Sequence, residues 1–257
     1  MLATLYAKAL DAEAPDSVLN DTWARDIVSQ IDYDWTATTI TRRNAASVTL
    51  RSAHFDTWTR DFLANHPEAV VLHLGCGLDS RYFRVDPGPG VAWYDVDYPD
   101  VIALRERFLP VRPGHRTIAA SVTDPGWVAE VPPRGPTLVV AEGLTMYLTE
   151  ADGIALLRRL VDRFPSGELQ FDAFNQLGIK SQWMNGVVRR SGSTLHWGID
   201  GPADILGTVP GTRLLQWVPV FESDAFSRVG GVYRATAAVM NRIPGLRTMA
   251  QFHRYAY

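Results

Sequence analysis

Apolar and polar positions follow two different rhythms along this chain, and the change between them comes at Pro67. Upstream, "APDSVLNDTWARDIVSQI" places Val18, Leu19, Trp23, Ile27 and Ile31 at mostly four-residue steps. "AASVTLRSAHFDTWTRDFLANH" does much the same with Val48, Leu50, Phe55, Trp58 and Phe62. Spacing of that kind gathers apolar side chains on one side of a helix, so residues from about 14 to 66 are predicted to be helical. Downstream, apolar residues cluster in short runs punctuated by glycine and proline: "AVVLHL", "VAWYDVD", a shorter stretch near "RTIAASV", then "TLVVAEG" and "GELQFDAF". These read as strands covered on both faces. Between them lie the helical segments "PDVIALRERFL" and "TEADGIALLRRLVDRF". Strands alternating with helices predict an α/β fold with a doubly wound, mostly parallel sheet. Beyond Asn175 the pattern loosens, with "LHWGIDGPADIL" and "LLQWVPVF" as landmarks, until "RTMAQFHRYAY" supplies a last strand.

Composition narrows the function classes. A formal charge of -3 leaves no basic footprint for nucleic acid, which is not expected as a partner. The start, "MLATLYAKAL", lacks the basic and apolar regions of a signal peptide, and no window approaches the ~20 apolar residues that span a bilayer. The single cysteine cannot form an internal disulfide, which fits a reducing compartment. A cytoplasmic protein with no membrane partner is the expectation.

Candidate chemistry begins where the first strand ends, in "VVLHLGCGLDSRYF". Gly75 and Gly77 flank Cys76 at the mouth of the predicted sheet, where ligands bind in folds of this kind. Without a Cβ, glycine permits positive φ and close approach of a ligand to the backbone. A dinucleotide loop would carry a third glycine at position 80, which here is Ser80. On its own this loop reads equally as a ligand cradle or a tight turn. About 20 residues on, "WYDVDYPD" ends the second strand with Asp95 and Asp97, where a carboxylate would grip two ribose hydroxyls. Asp97, nearer the strand's end, is preferred; Asp95 is the reserve, and Asp100 competes for the cap of the following helix. In "VVAEGLTMYLTEADG", Glu142 ends an apolar strand, a costly place for a charge unless it is paired with an arginine or has a function.

"LGCGLDSRYFRV", "WYDVDYPDVIALRERF" and "VAEGLTMYLTEADGIALLRRL", in this order and spacing, resemble the leucine carboxyl methyltransferase family, most closely its bacterial, polyketide-methylating branch. The resemblance runs from about Leu5 to Glu168, fades, and returns weakly at "FHRYAY". It implies a seven-stranded class I methyltransferase sheet, S-adenosylmethionine as cofactor and O-methylation of a small molecule, a carboxylate or phenol. It implies a loop of Gly75, Cys76 and Gly77 against the cofactor, Asp97 on its ribose, Glu142 as a further cofactor ligand and Arg51 on its methionine carboxylate. A planar guanidinium suits that last task because it stays charged and binds a carboxylate bidentately. Where family members that methylate a protein phosphatase carry Asp-Leu at the third strand's end, this chain has Ser121 and Val122 as adenine contacts, with Asp124 a candidate substitute or a turn residue. Cys76 reads as a small buried filler, and the scattered histidines give no metal-like spacing.

The chain then divides into an N-terminal helical lid region (1–66, including Tyr33 and Trp35), a cofactor-binding α/β core (67–174) and a substrate-side insertion with the last strands (175–257), all within one structural domain. Tyr147, Trp183, Met184, His196 and Trp197 are expected to line the acceptor pocket, with Tyr147 and His196 as candidate catalytic groups. No residue stands out as a general base, which favours an acceptor already ionised at neutral pH. Two other readings stay open: a member that binds the cofactor without methylating, and an NAD-dependent oxidoreductase, against which the missing third glycine counts. Oligomeric state is not legible.

Overall fold

The computed structural model describes residues 1–223 and 238–257. It opens with three helices, α1 (Leu2–Ala12), α2 (Thr22–Gln30) and α3 (Arg42–Asn65). The last two fall where the four-residue rhythm placed them. Asp21 starts α2 by accepting the Ala24 N–H at 3.0 Å, and Asn44 reaches back to the Thr41 N–H at 2.7 Å at the start of α3. Helix α1 lies upstream of the predicted helical stretch. It has no side-chain cap, no acid in its first turn and no base in its last, so it lacks the usual start and stop signals.

Seven strands follow: β1 (Val70–Leu74), β2 (Ala92–Asp97), β3 (His115–Ala119), β4 (Thr137–Ala141), β5 (Gly167–Phe174), β6 (Arg213–Pro219) and β7 (Ala250–Ala256). They form one sheet in the order β3-β2-β1-β4-β5-β7-β6, with β7 antiparallel to both neighbours and the remaining pairs parallel. The "LLQWVPVF" landmark supplies most of β6. Interspersed are α4 (Arg81–Val85), α5 (Pro99–Glu106), α6 (Glu150–Arg163), α7 (Gln176–Lys180), α8 (Gly186–Ser191) and α9 (Pro202–Thr208). The chain turns from β1 to β2 on one side and to β4 on the other. The crevice at the carboxyl end of β1 is therefore the topological switch point.

Both faces of the sheet are covered, which is why β1 and β4 are buried at every position. Val70, Leu72 and Leu74 pack in one cluster with Leu156, Leu157 and Leu160 of α6. Val71, Leu138 and Val140 pack in the other with Phe55, Trp58 and Phe62 of α3 and with Leu5 and Ile27 of α1 and α2. Residues 1–66, expected as a helical lid region, divide between sheet packing and the site. Phe55, Trp58 and Phe62 of α3 pack against the sheet, while Arg51, Ser52 and Asp56 in its middle join the charged network at the strand mouths. Trp35 stacks on Tyr6 of α1 and meets Tyr33 edge-on, at 5.2 Å between ring centroids in both pairs.

Candidate cofactor and acceptor site

The glycine loop closes onto the end of β2. Gly75 and Gly77 both take positive φ, 62° and 51°, the left-handed region that disfavours a side chain. The Gly77 N–H donates to Asp97 Oδ2 at 2.7 Å, and the other oxygen of that carboxylate accepts the Tyr98 N–H at 2.8 Å. Asp97 thus stands at the mouth, partly exposed, with lone pairs left over. Asp95 is different. It is fully buried, paired to Arg105, and accepts from Trp93 Nε1 at 2.9 Å, with His73 Nδ1 at 3.0 Å and His115 Nε2 at 2.6 Å. Burial pushes its carboxyl up, yet Arg105 and the two imidazoles outweigh that and hold it well below the ordinary range. The reserve role of Asp95 as ribose ligand is excluded by that enclosure.

Glu142, at the end of β4, accepts from Arg51 Nε at 3.0 Å, from Ser52 Oγ at 2.8 Å and from Arg81 Nη2. Burial raises its carboxyl, but Arg81, Arg51 and Lys8 together keep it far below the ordinary carboxylate value. Arg51 also donates Nη1 to Asp172 Oδ2 at 3.0 Å, while its Nη2 makes no hydrogen bond to any described residue. A Cβ placed on Gly143, itself at φ 67°, would come within 3.2 Å of that Nη2. The guanidinium is thus fixed on two edges by carboxylates and bare on the third. Burial would lower its pKa, but Asp172 and Glu142 reverse this and keep it charged.

The geometry shows the salt-bridge reading of Glu142, through Arg51 and Arg81. The carboxylate is paired, and what it holds is the arginine expected at the cofactor. Several members of this network were not singled out from sequence: Arg81, Ser52, Asp56, Lys8 and Asp172. Arg81 is fully buried, with Nε on Asp56 Oδ1 at 2.8 Å; Lys8 of α1 pairs with Asp79 at 2.9 Å. Asp172 was legible by the rule that found Glu142, a carboxylate inside the apolar run "GELQFDAF". It accepts the Gly143 N–H at 2.6 Å, and burial, only partly opposed by Arg51, pushes its carboxyl up.

Cys76 lies 2 % exposed behind the loop; burial pushes its thiol well up, so it stays protonated, as a filler should. Ser121 and Val122 follow β3, beside Asp97, whose carbonyl accepts the Ala120 N–H at 2.9 Å. Ser121 Oγ is engaged with Thr123 Oγ1 at 2.8 Å, and Val122 is buried with its carbonyl facing Trp127 Nε1. Met1 covers the loop: a Cβ on Gly77 would lie 3.4 Å from Met1 Cγ, an ordinary contact.

The acceptor-side candidates separate into two kinds. Tyr147 is half-exposed near Arg51 and Asp172; partial burial raises its phenol pKa, with Arg51 opposing and Asp172 adding. Trp183 and Met184 are each 69 % exposed, and His196 is exposed, its backbone N–H on the Met146 carbonyl at 2.8 Å. Trp197 belongs to the core instead. Its indole lies so close to α6 that a Cβ on Gly153 would sit 2.1 Å from it, which corrects its placement in an acceptor pocket.

The donor set fits an adenosyl amino acid. It offers a side-chain-free loop, a carboxylate with spare lone pairs at the next strand end, and a fixed guanidinium with one open edge. Among the described residues no helix is long and apolar enough to cross a membrane.

Comparison with known proteins agrees with this geometry. The chain is 43% identical, over all of its length and 95% of the relative's, to the tetracenomycin polyketide synthesis O-methyltransferase of Streptomyces glaucescens. It is 35% identical, over 83% of its length and 78% of the relative's, to an S-adenosyl-L-methionine-dependent methyltransferase of Gibberella zeae. Among solved structures, a DUF574 family protein of Streptomyces avermitilis superposes with a TM-score of 0.61 at 12% identity, covering 97% of this chain and 96% of its own. The magnesium protoporphyrin IX methyltransferase of Synechocystis, solved with bound S-adenosylhomocysteine, does so at 0.51 and 11%, covering 93% and 95%. These likenesses establish the class I methyltransferase fold. The leucine carboxyl methyltransferase model matches residues 1–161, so with three ordered motifs, a full-length relative and the strand-end network in agreement, the chain belongs to the leucine carboxyl methyltransferase family.

Proposed function

We propose that this chain is an S-adenosylmethionine-dependent O-methyltransferase whose acceptor is a small, polyketide-like molecule presenting a carboxylate. The observation that carries the reading is the bare third edge of Arg51, whose Nη2 lies against Gly143 while Glu142 and Asp172 hold the other two edges. Asp97 would hold the ribose, the Gly75–Gly77 backbone would lie along the cofactor, and Arg51 Nη2 would take its carboxylate. When bound, the cofactor supplies a methyl group already activated for displacement.

What remains for the protein is to bind, orient and exclude water, which can contribute several powers of ten in rate. Met1 and α1 cover the loop, and Tyr147 flanks Arg51. With its pKa raised, Tyr147 keeps its proton at neutral pH, so it serves as a hydrogen-bond donor to an acceptor oxygen. That role suits a carboxylate, which is ionised without help at a pKa of about 4. A phenol would need a base, and Tyr147, which keeps its proton, is not one at neutral pH.

The test is incubation of the purified chain with methyl-labelled cofactor and paired aromatic polyketide acids, each pair differing in whether the carboxyl or the phenol is blocked. The reading expects label only where the carboxyl is free, in a product released by mild base as an ester is. Base-stable label on the phenol would replace the carboxylate by an ether-forming reaction. Absence of label across the panel, with cofactor bound, would favour a binding protein.

A further inference from the structure

Asp95 and Arg105 form a buried ion pair that the cofactor assignment leaves unused, behind the glycine loop. Arg105, on α5, sends Nη1 to two loop carbonyls, Gly77 O at 3.1 Å and Asp79 O at 2.6 Å, while Nη2 goes to Asp95. Its Nε is buried with no hydrogen-bond partner among the described residues. An arginine kept only for packing would be replaceable by an apolar side chain, since buried ion pairs add little net stability. Here the forked end is satisfied at the cost of the stem, so the side chain is placed for the carbonyls it holds. Asp95 is itself fixed by Trp93, His73 and His115, which makes it a rigid anchor.

A trans peptide sends its C=O and the next N–H in opposite directions. Turning the Gly77 and Asp79 carbonyls in toward Arg105 therefore turns the Leu78 and Ser80 N–H groups out to the other side. From that loop the Gly77 N–H reaches Asp97 at 2.7 Å. Asp95 and Asp97, two positions apart on β2 and of the same strand parity, thus hold one loop by opposite means. One acts through an arginine on its carbonyls, the other directly on its N–H. We infer that Arg105, anchored by Asp95, is a positioning residue that sets the glycine loop in its ligand-ready shape without touching the ligand. The inference rests on the cofactor reading above.

Three variants test it: Arg105→Lys, Arg105→Met, and Arg105→Met combined with Asp95→Asn, which removes both charges and leaves none buried alone. Each is measured for S-adenosylhomocysteine affinity by calorimetry, for amide exchange across residues 75–80, and for urea stability. Arg105→Lys and the double variant are expected to weaken binding at least tenfold and speed loop exchange at least tenfold. KM should rise for the cofactor and stay level for the acceptor, a split that general loss of structure would not produce. If Arg105→Met fails to fold, the other two decide. A folded double variant that binds within twofold of wild type, with unchanged loop exchange, overturns this inference alone. A wild-type chain that binds no S-adenosylhomocysteine overturns the cofactor reading and this inference together.

Discussion

The carboxyl ends of β1, β2, β4 and β5 and the segment after Asn175 hold their side chains in contrasting ways. At the strand ends, charged groups hold one another: Arg51, Arg81, Glu142, Asp172, Asp56 and Asp79 are all buried or nearly so and joined by ion pairs. After Asn175, Trp183 and Met184 stand exposed, while Trp197, thirteen or so positions on, is sunk into the core against Gly153. The first region is over-determined, as a site that must present charge without rearranging should be. The second combines one structural anchor with adaptable surface, the pattern of a region free to vary its ligand.

Breaking this comparison begins with its largest expected effect. Trp197→Ala should cost about 3–5 kcal/mol in urea unfolding, the penalty for emptying a packed aromatic site. A loss below about 1 kcal/mol would move Trp197 back to the acceptor surface. Glu142→Gln should come next, at about 3 kcal/mol, because it leaves Arg81 and Arg51 short of a buried counter-charge. Its S-adenosylhomocysteine affinity should fall with it. Asp97→Asn should separate the two quantities. Binding should weaken at least tenfold, for loss of a charge-assisted contact of about 1.5–3 kcal/mol, while the urea midpoint changes little because Asp97 is partly exposed.

Acid should sharpen the contrast in the same order. Glu142, Asp56, Asp79 and Asp95 are all held below their ordinary values when folded, despite burial, by the arginines around them, with Lys8 adding at Glu142 and Asp79 and hydrogen bonds to His115 and His73 adding at Asp95. Groups whose folded pKa is depressed stabilise the fold above the unfolded value and lose that contribution as pH falls. Urea midpoints should therefore be flat above roughly pH 5 and drop steeply as acid protonates the unfolded chain first. Asp172, raised rather than lowered, works in the opposite direction, so Asp172→Asn should not relieve the acid loss. The smallest effect is Trp183→Ala, expected within about 0.5 kcal/mol in stability as an exposed position, with any consequence confined to the acceptor's KM.

How much of this was legible follows the same divide. The strands near the switch point could be read because burial on both faces forces continuous apolar runs, and Gly75, Gly77 and Glu142 stood out against those runs. Strand parity does not separate Asp95 from Asp97, since residues two apart on a strand point the same way; nearness to the strand's end favours Asp97, and the enclosure of Asp95 by two imidazoles, an indole and Arg105 shows what separates them. The long-range pairs, such as Arg81 with Asp56 and Lys8 with Asp79, join elements whose adjacency is set by packing and leaves no local trace. Trp183 and Trp197 occupy equally irregular sequence, so periodicity could not assign one to the surface and the other to the core. Helix α1 was hidden for a related reason: it lacks the capping chemistry that marks a helix end.

Calorimetric titration of the folded, purified chain with S-adenosylhomocysteine, run beside Arg51→Met, tests the central claim most directly. The account predicts a saturable one-to-one heat for the unaltered chain and its loss when the guanidinium is removed. A folded chain that gives no heat, or equal binding by both proteins, would contradict it.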